Sequence, residues 1–248
     1  MADCYLYCVL NTAEAVPANI KGMCESGVEC ISYRGVRVLY SVLGTREMNI
    51  SLENLKIHNS VSAFAMELGT VIPFQFGTAV KSEKEVLEIV KGMYPQFMGS
   101  FTRLDGRAEM GIKVFEKEEN KGCSSIKENS SALKRLEAVS EKSGPVNYLI
   151  NKIRHIEEKR ISRQYALELY DELMKPLIDI SDDNTTAAGE HGRMLINSAF
   201  LIRKDMLEEF RKRFVHMKQD NPAYIFICSG PWPPYNFTYI SEVVEKSG

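Results

Sequence analysis

The sequence predicts an α+β protein of two domains, on three observations. Up to Val114, strand-like apolar runs alternate with runs at helical spacing, which suits helices packed on one face of a mainly antiparallel sheet. Residues 116–131 are then charged, small and almost free of apolar side chains, the composition of a boundary. Beyond them come a long helical stretch and a strand, helix, strand order, enough for a second α+β domain. The expected division is 1–117 for a ferredoxin-like variant, 118–131 for a linker and 132–248 for a C-terminal domain with a long helix or helical hairpin.

Tyr5 to Leu10 is a continuous apolar run, short enough to be a strand buried on both faces. Residues 28–33 and 36–43 flank Arg34-Gly35 and predict a hairpin. Ser51 can cap a helix whose apolar positions are Leu52, Leu55, Val61, Phe64, Ala65 and Leu68, with Gly69 as its C-terminal stop. In the strand-like run 71–78, Ile72, Phe74 and Phe76 share one face and Gln75 takes the other. Pro73 makes that strand an edge or a late starter. Ser82 caps a second helix with Glu83 and Glu85 in its first turn; Pro95 and Gly99 leave its end open. Ala108, Met110, Ile112 and Val114 alternate with polar or small residues as a half-buried strand, taken here as the last of the first domain.

Leu133, Leu136 and Val139 mark a short helix, and Gly144-Pro145 precedes a long one that Pro176 is expected to close. Val146, Leu149, Ile150, Ile153 and Ile156 form a stripe at coiled-coil-like spacing, resumed by Ala166, Leu169, Tyr170 and Leu173. Such a stripe most often packs on its own domain; a partner helix is the rarer use. Residues 181–186 and their continuation read as a loop. A strand at 194–202 follows, then a basic amphipathic helix capped by Asp205 and a strand at 223–228.

Composition narrows function. The 248 residues carry a net charge of −2, no basic footprint for nucleic acid and no apolar run of the roughly 20 residues that span a bilayer. The N-terminus lacks the basic n-region of a secretory signal, so a cytoplasmic location and reduced thiols at the six cysteines are expected. No phosphate loop, dinucleotide fingerprint, zinc-protease helix or serine elbow occurs. His58, His155, His191 and His216 are dispersed, and the Cys4-x-x-x-Cys8 spacing is not a zinc knuckle. These patterns lend no support to a catalytic or metal site, although catalytic groups can converge from distant positions in a chain.

The C-terminal stretch from Cys228 holds the only Trp and three of the nine prolines. Pro231, Pro233 and Pro234 stiffen it, presenting Trp232, Tyr235 and Phe237 either as a strap on the protein's own core or as an aromatic patch for a partner. Its string Gly230-Pro231-Trp232-Pro233-Pro234-Tyr235-Asn236-Phe237 resembles the ending of the gas vesicle protein L/F family (GvpL/GvpF). Further stretches resemble that family in the same order: Tyr5-Leu6-Tyr7; Pro73-Phe74-Gln75-Phe76-Gly77-Thr78; Gly106-Arg107-Ala108-Glu109; and Asn197-Ser198-Ala199-Phe200. One departure is Gln75, where the family commonly has Arg. The resemblance implies a two-domain, cytoplasmic accessory protein of gas vesicle formation, without catalytic activity, metal or cofactor. It further implies binding of the small hydrophobic shell protein, through the N-terminal domain, and of other accessory proteins. Gln75, Gly77, Thr78, Trp232, Tyr235 and Phe237 are the candidate partner-binding residues. Pro73, Phe74, Phe76, Gly106, Glu109, Asn197, Gly230, Pro231, Pro233 and Pro234 are the supporting motif. The rival reading is an enzyme or small-ligand binder on a ferredoxin-like sheet, to which a pocket with convergent titratable groups would point.

Overall fold

The computed structural model describes residues 3–17, 19–44, 49–117, 122–139, 145–188 and 193–238. Tyr239, His191 and the side chain of Cys123 lie outside what is described. The protein is of the α+β class, with one sheet of five strands and one of four among these residues. It divides into two compact units, Met1–Glu109 with Gly230–Gly248, and Met110–Ser229.

The first unit is built on β1 (Asp3–Asn11), whose residues 4–10 are all buried. β2 (Glu29–Tyr33) and β3 (Val36–Gly44) form the expected hairpin, turning through Arg34 and Gly35 at φ 50° and 86°. Positive φ at both central residues matches the twist of the flanking strands. β1 pairs antiparallel with β3 on one side; on the other it pairs with β4 (Thr70–Pro73) and then β5 (Ala79–Val80). The order is β2-β3-β1-β4, with β5 also on β1. Pro73 ends an edge strand opposite Cys8, where its missing N–H interrupts no central ladder.

Among the described residues, three α-helices complete the unit. α1 (Leu52–Leu68) starts where Ser51 Oγ accepts the Asn54 N–H at 3.1 Å. Its buried face is His58, Val61, Ser62 and Ala65, and the predicted Leu52 and Leu55 are exposed. Gly69 stops the helix as expected, with an extended φ of 174°. Glycine is needed there because a Cβ would stand 2.3 Å from the Asn11 carbonyl oxygen. α2 (Glu83–Gly92) is capped by Ser82, and Pro95 sits in the first turn of a separate helix, α3 (Tyr94–Leu104). The core on the α1 side joins Tyr5, Tyr7, Leu10 and Leu39 to Val61 and Ala65, with no residue of α2 or α3. β1 buries alternate side chains on both faces, as its continuous apolar run predicts.

In the second unit, β6 (Arg107–Glu116), β7 (Asp183–Ala188), β8 (Met194–Arg203) and β9 (Tyr224–Trp232) form a sheet of order β7-β8-β6-β9. This placement corrects the sequence reading, which gave β6 to the first sheet. Met110, Ile112 and Val114 pack with Phe200, Phe210 and Leu173 in one core. The chain passes between the units within β6 and again within β9, so the division by contacts departs from the expected 1–117, 118–131 and 132–248. The expected linker contains α4 (Gly122–Asn129), and α5 (Ser131–Val139) follows directly. The loop expected at 181–186 is largely strand β7, paired from Asp183↔Leu201 to Ala188↔Ile196.

The long helix α6 runs Pro145–Ile178 and passes through Pro176. That proline falls in the last turn, where few interior bonds remain to be lost, and its carbonyl accepts a hydrogen bond from Arg213 at 3.0 Å. α7 (Leu207–Asp220) has Met206, not Asp205, at its N-cap; Asp205 pairs with Arg203 instead. No helix of the described residues is long and apolar enough to cross a membrane.

Candidate functional site

The residues singled out in the first unit form a turn resting on a buried aromatic cluster. Between β4 and β5 the chain bulges away from β1 at Gln75, Phe76 and Gly77, and is tied back at both ends. The Phe74 N–H donates to the Tyr7 carbonyl and the Leu6 N–H to the Thr78 carbonyl, both at 2.9 Å. Gln75 and Gly77 are exposed, Phe74 is buried, and Phe76 and Thr78 are half-buried. Gly77 has φ 95°, a conformation that a side chain would strain. Thr78 donates from its hydroxyl to the Gln75 carbonyl at 2.7 Å, closing the turn on itself. Phe74 and Phe76 were expected on one strand face, but the strand ends at Pro73, so Phe74 lies just past its end and Phe76 in the bulge.

Beneath the turn, α1 delivers His58 into contact with β1. The Gly77 N–H donates to the Tyr5 hydroxyl at 3.3 Å, and that hydroxyl lies 2.8 Å from His58 Nδ1. With its oxygen accepting from Gly77, the hydroxyl can donate its proton to Nδ1, the pairing made by a neutral ring protonated at Nε2. Nε2 finds no hydrogen-bond partner of normal geometry. Burial lowers the imidazole pKa to about 4, against a weaker opposing pull from the Phe74 backbone, so the ring is neutral at pH 7. Phe76 stands 5.8 Å from His58 and 6.3 Å from Tyr5, edge to face. Tyr7 is held by Ser41 Oγ at 2.9 Å and by the Met23 N–H at 2.6 Å.

The C-terminal stretch joins the same cluster. Tyr235 places its ring 6.1 Å from His58, hydrogen-bonds Ser62 and has its hydroxyl pKa pushed up to about 12 by burial. Glu109 accepts the Asn236 N–H at 2.8 Å and the Asn236 Nδ2 at 2.6 Å. Burial raises the Glu109 carboxyl pKa while these two donors oppose the rise. Pro233, Pro234 and Phe237 are buried, whereas Pro231, Trp232 and Tyr235 are half-buried. The anchors of the strap are therefore the proline pair and Phe237, with Trp232 less deeply set than the sequence suggested. The stretch is not a uniform extended rod either. Gly230 has φ 114°, the Gly230–Pro231 bond is cis, and Tyr235–Phe237 forms a single 3₁₀ turn.

The other motif residues are dispersed. Gly106 sits exposed at φ 67° in the turn before β6, and Asn197 is exposed on β8 opposite Ala187. The sequence reading overlooked His58, Ser62 and Asn236. Spacing offered a signal for the first two: His58, Val61, Ser62 and Ala65 fall at i, i+3, i+4 and i+7, one face of a helix. The cluster holds tyrosines raised away from ionisation at neutral pH and a neutral imidazole locked in place, an arrangement suited to rigidity. Among the described residues, no group of three His, Cys, Asp or Glu side chains could hold a metal ion.

The family model of gas vesicle synthesis proteins GvpL/GvpF matches residues 3–239. The chain belongs to this family. Gas vesicle protein F2 of Halobacterium salinarum, a family relative, is 20% identical over 247 residues, covering 98% of this chain and 95% of its own. The fold is that of solved family structures. The crystal structure of GvpF from Microcystis aeruginosa matches with a TM-score of 0.74 at 20% identity, over 96% of this chain and 99% of that one. GvpF from Anabaena sp. matches with a TM-score of 0.73 at 20% identity, over 97% and 100%. The family assignment gives the protein a gas vesicle-related role.

Proposed function

We propose that this protein is an accessory factor of gas vesicle formation that binds the small hydrophobic shell protein and other accessory proteins, working without catalysis. The observation that carries the shell-protein contact is the turn at Gln75, Phe76 and Gly77. It exposes Gln75 and Gly77 at the edge of the first sheet while its base is fixed by Tyr5 and His58. A contact site held rigid before binding loses little entropy on association. A shell subunit with apolar surface open before assembly needs that surface covered, and a bulged sheet edge offers both backbone groups and side chains for doing so.

Pull-down of this chain with the shell protein tests the proposal. Gln75→Arg, at an exposed position, should leave the urea midpoint unchanged and alter shell-protein capture several-fold. Gly77→Val should reduce capture more, because it also strains the turn. If Gln75→Arg and Gly77→Val both retain full capture, this turn is not the contact. If the unaltered chain captures no shell protein, the binding function itself is wrong.

A further inference from the structure

Part of the α6 stripe is exposed among the described residues. Leu169, Tyr170 and Leu173 enter the core of the second unit as expected. Leu149, Ile153, Ile156 and Leu167, by contrast, are 56%, 51%, 59% and 45% exposed. At 100° per residue these four fall within a sector of about 60°, one straight seam along five helical turns. Ile150 and Ile161, about 100° round the helix, are the buried ones. They hold α6 to its own domain and leave the seam outward.

The seam has a charged character as well. Arg160 lies on it and Lys152, Lys159 and Arg163 run along one border, all exposed. Arg160 is bound by Glu157 at 2.7 Å. The other three cations have no carboxylate partner among the described residues. A groove of about 520 Å³ opens along the opposite border, lined by Ile126, Arg160, Ile161 and Gln164 among others. An apolar seam of this length, basic on one side and grooved on the other, is the surface that an amphipathic helix fits when its own stripe is apolar and its border acidic.

We infer that α6 carries a docking site for a helix of another protein, with an apolar stripe at i, i+4, i+7 and a Glu- or Asp-rich border facing Lys152, Lys159 and Arg163. Charge selects this occupant over a second copy. In a parallel self-pair, Arg160 and Arg163 would meet their own counterparts. In an antiparallel pair centred on the seam they would meet Ile156 and Ile153, and Lys159 would face Lys159. An acidic border turns each of these cations from a liability into a contact. The site lies within the second unit and does not depend on the shell-protein proposal.

Fluorescence anisotropy on the full chain tests it, with two synthetic helical peptides sharing one leucine stripe, one bordered by Glu and the other by Lys. The Glu-bordered peptide should bind at least tenfold more tightly, and raising salt from 0.05 to 0.5 M should erode the difference. The charge-reversed variant Lys152→Glu/Lys159→Glu/Arg163→Glu should invert the preference. Ile153→Glu should abolish binding of both peptides. All four substituted side chains are exposed, so an unchanged urea midpoint is expected and checks that folding is intact. Equal binding of the two peptides, or none, overturns the inference. So does a concentration-dependent dimer in sedimentation that Ile153→Glu abolishes, which would give the seam to a second copy. Preferential binding to anionic phosphatidylserine vesicles, lost in the charge-reversed variant, would give it to a membrane surface and equally overturn the proposal.

Discussion

His58 is a titratable side chain whose burial outweighs the support that the Phe74 backbone gives its charged form. Its pKa in the folded protein is about 4 against 6.5 for an unperturbed imidazole. Between those values the unfolded chain binds the proton more readily, so stability present above pH 6.5 is lost as pH falls towards 4. A shift of this size corresponds to about 3 kcal/mol of pH-dependent stability. Glu109 acts in the opposite sense, since its raised carboxyl pKa favours the folded state as acid is added. Urea midpoints measured from pH 7 to pH 4.5 should fall steeply for the native chain and less steeply for His58→Gln. Equal slopes would mean that the imidazole is not the controlling group. Gly69 makes the parallel case for sterics. Gly69→Ala would press a methyl group against the Asn11 carbonyl and should cost about 1–3 kcal/mol, read as a lowered urea midpoint. An unchanged midpoint would show that the strand end moves aside freely.

Elements of this chain are set by where their side chains go more than by local preference. The C-terminal strap shows this well. Phe237 is 5% exposed, so Phe237→Ala should destabilise by about 3–5 kcal/mol. Trp232 is only half-buried, and Trp232→Ala should cost about half as much, because part of its ring never leaves water. If Trp232→Ala proved the more damaging in urea unfolding, the assignment of Phe237 and the proline pair as anchors would be wrong. α6 gives the complementary lesson. Its hydrophobic spacing was plain in the sequence, yet spacing states only that residues share a face. Whether Ile153 is core or surface depended on what the fold set beside it.

For the whole molecule, contacts divide the chain within β6 and β9 and not at residue 117. A fragment ending at residue 117 would keep Glu109 without Asn236, and Met110, Ile112 and Val114 without Phe200, Phe210 and Leu173. Expressed alone, that fragment should aggregate or unfold without a cooperative transition, and should bind a hydrophobic dye. A soluble monomeric fragment with a sharp urea transition would show instead that the first unit is self-sufficient without its C-terminal return.

The amino-acid sequence by itself determined the α+β class, β1 as a strand buried on both faces, the Arg34-Gly35 hairpin, the Ser51 and Ser82 caps and the family resemblance. Each of these is local: a run, a spacing or a short string contains all the physics needed to read it. Only the tertiary structure decided that β6 belongs to the second sheet, that Gly69 is demanded by a carbonyl from β1, and that His58 meets Tyr5, Phe76 and Tyr235. It also decided that Asn236 satisfies a carboxylate more than a hundred residues away, and that one seam of α6 stays open. These pairings join residues far apart along the chain, and hydrophobic pattern records that a side chain will be buried without recording against what.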